Sequence, residues 1–256
     1  MDEIKRTIHN GNLVWVGGTA DDQYWDDHWK THVVQQAQSA KVPWYLKAIL
    51  NKLDANSHIL EAGCGTGAIV SALNSKGYKT TGIDIATKTV EYLNSIGLPV
   101  EIMDVLDTTY ENDVFDAYIS LGVIEHFHNI EDTKKIIKEA TRITKKGGYL
   151  YFSVPFTNRI RKSLIEKNEL INIAVDKNNF YQRSFDSNEM SELFSDLPLN
   201  MVCEGCYDAP KGIADEVSNL RWLKKKPWRI PVSLIERHSN FLHDYGHMLY
   251  QVYQKK

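Results

Sequence analysis

The sequence has few cysteines, no long apolar segment and no signal-peptide pattern. Only 3 of its 256 residues are cysteine, too few for the disulfide framework of a small secreted scaffold. Apolar runs such as YLYFSVPF at 149–156 are far shorter than the roughly 18 residues that a membrane-spanning helix needs. The N-terminal MDEIKRTIHN lacks the apolar core of a signal peptide. We therefore expect a cytoplasmic protein without stable membrane insertion.

The sequence also lacks an excess of charge of either sign. Its 30 Lys and Arg residues oppose 33 Asp and Glu residues, which gives a formal net charge of -3. Because this charge offers no electrostatic argument for binding nucleic acid, we predict no nucleic-acid partner. A hydrophobic fraction of 43% and a charged fraction of 25% are typical of a globular protein. Composition leaves the oligomeric state open.

From residue 57 onward, short β-branched segments alternate with longer amphipathic ones. The predicted strands are SHILEA, KTTGIDI, PVEIMD, DVFDAYISL and YLYFSVP, and Gly77, Gly97 and Gly147 are predicted to end the helices between them. This alternation predicts an α/β fold with a parallel sheet and helices on both faces. Right-handed crossovers place the carboxyl ends of the strands at one edge, where such sheets bind ligands.

The regular alternation of predicted strands and helices ends after Pro155. A helix capped at Asp186 or Ser187 is expected within 184–197, and the segments 199–208 and 247–256 are expected to form an antiparallel pair of strands. We predict a Rossmann-like, doubly wound, mostly parallel seven-stranded sheet with one antiparallel strand and helical lid insertions. The predicted domain organisation is an N-terminal helical cap at 1–42 and a main domain at 43–256, with lid insertions at about 156–180 and 209–243.

A glycine-rich segment, EAGCGTG at 61–67, lies where the first strand meets the first helix. At this position a ligand can approach bare backbone and the helix N-terminus. A dinucleotide fingerprint needs G-x-G-x-x-G, but here the third glycine comes one residue early and Ala68 takes its place. A phosphate-binding loop would need Gly-Lys-Ser/Thr, which is missing. The segment therefore favours a ligand with an amino-acid portion over a pyrophosphate.

Acidic residues follow or end three successive strands. Glu61 ends the first, and Asp84, at the end of the second, can accept hydrogen bonds from both hydroxyls of a ribose. Asp104 follows the third strand and can accept from the exocyclic amine of adenine, although aspartate is also a common turn residue. Together the three favour a common ligand more than any one of them does alone.

Five motifs now stand in order: ILEAGCGTG, GIDIA, MDVLD, FDAYISLGVIEHF and GGYLYFSVP. They resemble the successive motifs of class I S-adenosylmethionine-dependent methyltransferases, especially the small-molecule branch with ubiquinone-pathway and sugar-modifying enzymes. The resemblance covers 43–155, and YQRSFDSNEM at 181–190 fits the element after the fifth strand. It implies S-adenosylmethionine as cofactor, S-adenosylhomocysteine as product, and methyl transfer to O, N or C of a small-molecule acceptor.

The resemblance also implies roles for individual residues. The methionine end of the cofactor would be held by Glu61 and the loop Gly63, Cys64, Gly65 and Gly67, with backbone contacts from Leu121. Asp84 would hold the ribose, Ile85 would pack on the adenine, and Asp104 and Val105 would recognise the adenine edge. For Cys64, a simple packing role is the alternative.

His126 is the candidate catalytic base. It follows the fourth strand, and an ordinary pKa of about 6.5 suits proton transfer near neutral pH. The alternative is a structural histidine, because in-line positioning of the two reactants can supply much of the rate enhancement without a base.

A predicted helix over 23–32 carries the candidate lid and substrate residues. Tyr24 and His28 would share one helical face, and Trp25 and Trp29 another. The alternative is an amphipathic helix packed on the core.

We predict no metal site. His28 and His32 are spaced i,i+4 without an identifiable carboxylate partner, and Cys203 and Cys206 would point to opposite faces of a strand. The basic segment RWLKKKPWR at 221–229 is interpreted as a solvated face, with a lid for an anionic or lipid-linked acceptor as the alternative.

Two other functions compete with methyl transfer. A nicotinamide-dependent oxidoreductase is disfavoured by the glycine spacing. A catalytically silent S-adenosylmethionine-binding module, acting as a partner or scaffold, would keep the same binding residues.

Overall fold

The computed structural model describes residues 4–18, 20–30, 41–225, 234–236 and 240–256. His32 and the part of the basic segment from 226 to 229 therefore lie outside the described residues. No helix in the described part of the chain is long and apolar enough to cross a membrane.

The strands and helices follow the predicted alternation over the central part of the chain. The strands are β1 Lys5–His9, β2 Asn12–Val16, β3 His58–Ala62, β4 Lys79–Asp84, β5 Val100–Ile102, β6 Phe115–Leu121, β7 Thr144–Pro155, β8 Phe180–Arg183, β9 Leu199–Tyr207 and β10 Met248–Lys255. The helices are α1 Asp22–Trp29, α2 Lys47–Leu50, α3 Ala68–Asn74, α4 Thr87–Ser95, α5 Ile130–Ile143, α6 Arg159–Lys167, α7 Ser187–Glu192 and α8 Ala209–Ala214. Shorter 3-10 helices span Trp44–Leu46, Ile124–His126, Ser218–Lys224 and Asn240–Tyr245.

Seven strands form one sheet in the order β5-β4-β3-β6-β7-β10-β9. The pairs from β5 to β7 are parallel, whereas β10 is antiparallel to both of its neighbours. The predicted α/β fold with a mostly parallel sheet and one antiparallel strand is confirmed. The strand order reverses direction between β3 and β6, so a crevice is expected at their carboxyl ends.

Helices cover both faces of this sheet, because successive strand residues point to opposite sides. On one face Phe152 packs with α5 residues such as Ile136 and Ile137. On the other, Tyr151 packs with Leu46 and Ile49. Burial of each such side chain stabilises the fold by roughly 1.5–3 kcal/mol, and the two cores hold the strand ends in place.

The predicted helix boundaries agree with the structure except at one glycine. Asp186 caps α7 with a capping box to Glu189, and Gly77 and Gly97 follow their helices with positive φ. Gly147, predicted to end its helix, lies instead inside β7. Thr144 already pairs with Phe115, and the register shifts before the next pair, so the positive φ of Gly147 belongs to an irregularity in the strand.

The N-terminal segment differs from the helical cap predicted for 1–42. It begins with the antiparallel strands β1 and β2, joined by a turn in which Asn10 and Gly11 both have positive φ. Asn-Gly is the preferred sequence for such a two-residue hairpin turn. Strand β8 pairs with β2 to complete a three-stranded sheet, so only 22–29 of the described N-terminal residues is helical.

Candidate active site

A cavity of about 590 Å³ lies at the carboxyl ends of β3, β4 and β6. It brings together residues that the sequence predicted to bind the cofactor, namely Glu61, Gly63, Cys64, Gly65, Asp84, Ile85, Asp104, Val105 and Leu121. His126, Trp25, His28 and Trp29 also line it. Gly67 instead begins α3 as its N-cap residue, and Tyr24 instead contacts Tyr181, which lines the cavity.

The glycine loop is held tightly against the neighbouring strand. The backbone N–H groups of Gly63 and Cys64 both donate to the carbonyl of Ile83, at 2.8 and 3.0 Å. Gly65 has a φ of +48°, and a Cβ atom there would lie 2.9 Å from the Trp29 ring. Glycine is therefore required at 65 both by the backbone conformation and by the close approach of the indole.

Glu61 is a buried acid at the base of this loop. Its side chain accepts a hydrogen bond from Val70 N, in the first turn of α3, at 3.1 Å. Burial raises the pKa of Glu61 well above its usual value, and the nearby charge of Asp84 raises it further. The N-terminus of α3 partly offsets the cost of burying the charged form.

Asp84 fixes the loop from the end of β4. One carboxylate oxygen accepts from Gly65 N at 2.8 Å and the other accepts from Ala86 N at 2.9 Å. Burial raises the pKa of Asp84, and these hydrogen bonds oppose the increase. Each carboxylate oxygen has a second lone pair, so Asp84 can still accept hydrogen bonds from ligand hydroxyls.

Asp104 and Val105 stand at the exposed side of the cavity. Asp104 is exposed and accepts from Leu106 N at 2.9 Å, whereas Val105 is buried. This turn therefore offers a carboxylate beside an apolar surface.

His126 has a defined tautomer when neutral. Its Nδ1 lies 2.8 Å from the carbonyl oxygen of Tyr181, and a carbonyl can only accept, so Nδ1 carries the hydrogen. Burial lowers the pKa of His126 to about 4. At neutral pH the ring is therefore uncharged, with Nε2 able to take up a proton. The free lone pair on Nε2 permits a role as base, although the lowered pKa makes His126 a weaker base than an ordinary histidine.

An aromatic cluster covers the cavity. Trp25 stacks on Trp29 with ring centroids 5.8 Å apart and meets His126 edge-on at 5.0 Å. Tyr181 lies 5.0 Å from His126, and the Tyr24 hydroxyl donates to the Tyr181 hydroxyl at 3.1 Å. Helix α1 and strand β8 thus meet above the glycine loop.

Asp26 holds α1 in this position, although no sequence pattern distinguishes it from the other polar residues of this helix. It is 8% exposed. Its carboxylate accepts from Thr89 N and Thr89 Oγ1 at 3.0 and 3.2 Å, and from Lys88 N at 3.3 Å. These N–H groups belong to the first turn of α4, where an anion is favoured by the helix dipole.

Replacing Asp26 with alanine is expected to loosen α1 and weaken binding of S-adenosylhomocysteine about fivefold to tenfold. The loss corresponds to about 1 kcal/mol, the usual effect of removing a helix-capping oxygen. Calorimetric titration measures it, with the exposed neighbour substitution Asp27→Ala as control. Equal affinities for Asp26→Ala and the control would contradict this role.

Two tyrosines of the cavity, Tyr45 and Tyr181, were not among the predicted site residues. Tyr45 lines it and stacks on Tyr207 with centroids 3.8 Å apart. Tyr181 lines it from β8. Both come from segments distant in sequence from the glycine loop, and only the packing of β8 and of 44–46 against the sheet brings them near.

Cys64, Cys206 and Lys224 of the basic segment each contact other residues of the fold. Cys64 is buried against Gly82, where a Cβ atom would lie 2.8 Å from its sulfur. Cys206 donates its thiol hydrogen to the carbonyl of His243. Lys224 forms an ion pair with Asp215. Among the described residues, no cluster of three or more His, Cys, Asp or Glu side chains suits a metal ion.

Comparison with known proteins identifies the central domain. Residues 60–152 match the family model described as a methyltransferase domain. The crystal structure of a SAM-dependent methyltransferase from Methanosarcina mazei shares the fold, with a TM-score of 0.58 and 18% identity over 84% of this chain and 98% of that chain. The chain thus carries a methyltransferase domain, and S-adenosylmethionine is the cofactor of this domain.

Curated proteins similar to this chain include methyltransferases that act on two kinds of acceptor. A tRNA (carboxymethyluridine(34)-5-O)-methyltransferase from Arabidopsis thaliana is 32% identical over 120 residues, covering 47% of this chain and 29% of that protein. A ubiquinone biosynthesis O-methyltransferase from Chromobacterium violaceum is 26% identical over 103 residues, covering 39% of this chain and 44% of that protein. The chain spans less than half the length of each of these relatives.

The prediction of no nucleic-acid partner is wrong. It rested on the near-neutral net charge, whereas similarity to tRNA methyltransferases points toward a nucleic-acid substrate. Net charge sums over the whole surface, so it does not report a local binding site. The comparisons support a methyltransferase but do not confirm the small-molecule branch, because both tRNA and ubiquinone methyltransferases are similar to this chain.

Proposed function

We propose that this chain transfers the methyl group of S-adenosylmethionine to an oxygen, nitrogen or carbon atom of a small-molecule acceptor. The observation that carries the proposal is the convergence of Glu61, the glycine loop, Asp84 and Asp104 on one cavity beneath an aromatic lid. They meet at the strand-order reversal of the sheet, which is where α/β folds of this kind bind their ligands.

The residues of the cavity suit the cofactor. The positive φ of Gly63 and Gly65 brings bare backbone to the cavity wall, where a side chain would fill the space. Glu61 and Asp84 provide buried acceptors suited to an ammonium group and to ribose hydroxyls. Asp104 and Val105 would hold the adenine edge, with Ile85 against its face and the backbone of Leu121 at the amino group.

When bound, the cofactor would supply a methyl group on a sulfonium sulfur, and this sulfur would be the leaving group of an in-line displacement. The protein's task is to orient the acceptor and exclude water, for which Trp25, Trp29 and Tyr181 line the cavity. His126, neutral and with Nε2 unprotonated, would accept the proton that an acceptor hydroxyl or amine loses. Flat apolar walls from these aromatic residues favour a compact acceptor with a planar or apolar portion.

Calorimetric titration with S-adenosylhomocysteine tests the cofactor site. We expect micromolar binding to the wild type and binding about tenfold or more weaker for Asp84→Asn, because a hydrogen bond to a charged group contributes about 1.5–3 kcal/mol. Asparagine keeps the size of the side chain and one acceptor oxygen, but its amide nitrogen would face the N–H of Gly65 or Ala86, so weakening of the loop contributes to the loss. The exposed Asp107→Asn serves as control, and a wild type that does not bind would contradict the proposal.

A second candidate acceptor is tRNA, favoured by the 32% identity to the Arabidopsis tRNA methyltransferase. Incubation with methyl-labelled cofactor, a panel of small phenols, amines and sugars, and total RNA separates the two. Label in RNA that is released by ribonuclease would replace the small-molecule acceptor by a nucleic-acid one. Binding of the cofactor without label transfer to either group would instead favour the catalytically silent module.

A further inference from the structure

A second cavity, of about 300 Å³, lies beside the first. It is enclosed by the turn between β1 and β2, the start of α5 and strand β8. Its described lining consists of His9, Asn10, Asn12, Val14, His128, Asn129, Ile130, Phe180 and Arg183. This lining has an arginine, two histidines and three asparagines, and within the described residues it includes no carboxylate.

Arg183 is the fixed cation of this cavity. Its Nη2 donates to the carbonyl oxygens of Phe127, at 3.2 Å, and of His128. The guanidinium also lies over the Phe180 ring, 5.1 Å from the centroid. These contacts hold the group in one orientation without neutralising its charge.

Among the described residues, the charge of Arg183 is not paired with a carboxylate. Within the described part of the chain, its Nε is buried without a hydrogen-bond partner and its guanidinium forms no ion pair with a carboxylate. The carboxylate of Glu189 accepts a hydrogen bond from Asn12 and acts on Arg183 electrostatically without forming an ion pair with it. The Nε atom is closed to solvent, so a ligand would be bound by the charge of the guanidinium and by its terminal N–H groups.

The other walls of the second cavity also favour a negatively charged ligand. Helix α5 is 14 residues long and begins here, with Asn129 as its N-cap, so its dipole favours negative charge. Two acids in its first turn, Glu131 and Asp132, oppose this preference, but neither lines the cavity and Glu131 is paired with Lys134 at 2.7 Å. His128 is held against Phe180 with ring centroids 5.3 Å apart. His9 lines the cavity from the hairpin, and because its Nε2 accepts from Asn10 Nδ2 at 3.3 Å, its Nδ1 carries the hydrogen that it can donate.

We propose that this second cavity binds the phosphate group of an anionic ligand, with Arg183 as its fixed cation and His9 and His128 as flanking donors. Arginine with additional N–H donors matches the geometry of phosphate oxygens. The cavity, of about 300 Å³, is too small for a large ligand but can hold a phosphate group.

The position of this cavity relates it to the acceptor. Phe127 lines the first cavity and His128 the second, while β8 contributes Tyr181 to the first and Arg183 to the second. A phosphate bound here would orient the rest of its molecule beside the methyl-transfer site. This assignment to the acceptor rests on the proposed function, whereas phosphate binding itself does not.

Titration of the full chain with inorganic phosphate, followed by NMR of the His9 and His128 ring protons, tests the proposal. We expect saturable shifts in the millimolar range at constant ionic strength, weakened at least fivefold in Arg183→Gln. Lys76→Gln, which changes the net charge equally at an exposed site after α3, should leave them unchanged. The double substitution His9→Gln and His128→Gln, monitored through phosphorus NMR, keeps the backbone hydrogen bonds of Arg183 and should also weaken binding.

Two further titrations identify the source of the phosphate. Glycerol 3-phosphate represents a phosphorylated small molecule, and a uridine hexanucleotide represents a nucleic-acid backbone. Arg183-dependent binding of either supports the site and names its ligand class. Shifts that do not saturate, or that are equal in wild type and Arg183→Gln, overturn it. Binding of S-adenosylhomocysteine by each variant shows that the variant is folded. A wild type that binds phosphate but not S-adenosylhomocysteine would overturn the proposed function and leave the phosphate site standing.

Discussion

Replacing Glu216 with alanine is expected to lower the free energy of unfolding by about 3–5 kcal/mol, because it leaves the buried charge of Arg161 without its counter-ion. The two side chains are 0% and 1% exposed and form an ion pair of 2.9 Å between Arg161 Nε and Glu216 Oε1. Glu216 also pairs with Arg6 of β1. One carboxylate thus ties α6 and the N-terminal hairpin to the segment after α8.

The remaining surroundings of Arg161 explain why this loss is large. Its Nη1 donates to the carbonyl of Phe156 at 2.8 Å, its Nη2 lies 3.0 Å from His247 Nδ1, and its guanidinium lies over Trp15. None of these partners carries a negative charge. The arginine cannot turn toward water without breaking all three contacts, so the cost of its uncompensated burial falls on the folded state.

Urea denaturation of the wild type and of Glu216→Ala measures this effect. Glu131→Ala, which breaks the exposed Glu131–Lys134 pair, is the matched control and should cost less than about 0.5 kcal/mol. Arg161→Met together with Glu216→Leu removes both charges and should recover much of the stability. A Glu216→Ala variant as stable as the control would contradict the argument.

The sequence predicted the parallel sheet and the glycine loop at its edge because the signals for both are local. Alternating strands and helices specify the order of elements, and right-handed crossovers bring their carboxyl ends to one edge. Glu61, Gly65 and Asp84 each follow or end a strand, so the edge brings them together. Periodicity and turn chemistry therefore sufficed for the central domain.

The parts that sequence could not predict depend on contacts between distant segments. Asp26 is one polar residue in a polar helix, and only docking on the start of α4 reveals its function. Arg161 and Glu216 lie 55 positions apart in segments expected to be lids. The helical cap predicted for 1–42 is a different kind of error. Asn10-Gly11 between alternating apolar residues is a local signal for the hairpin, and the helical interpretation overlooked it.

Glu125 provides the second large effect, through the pH dependence of stability. It follows β6 beside His126, is 2% exposed, and its Oε2 has no hydrogen-bond partner among the described residues. Its Oε1 is 4.0 Å from His126 Nε2, but His126 is neutral at neutral pH and provides no positive charge. Burial raises the pKa of Glu125 from 4.5 to about 8, so at pH 7 the folded protein holds this carboxyl mainly protonated.

Between pH 4.5 and pH 8 the folded state therefore binds a proton that the unfolded state has released. Stability from this group is complete below the unfolded pKa and is lost as the pH rises through the folded pKa. Glutamine at 125 keeps the shape of the protonated acid and cannot ionise. The wild type should consequently lose about 3 kcal/mol relative to Glu125→Gln between pH 6 and pH 9.

Urea denaturation of both proteins at pH 6, 7, 8 and 9 measures this difference, and the contributions of all other titrating groups cancel in the comparison. Glu131→Gln, at an exposed position on α5, is the control and should show a difference from the wild type that is independent of pH over this range. A constant difference for Glu125→Gln as well would mean that Glu125 is already ionised at pH 6. The carboxylate would then need a cation or a donor that the described surroundings of Glu125 do not provide, and His126 would be the first residue to examine as its partner.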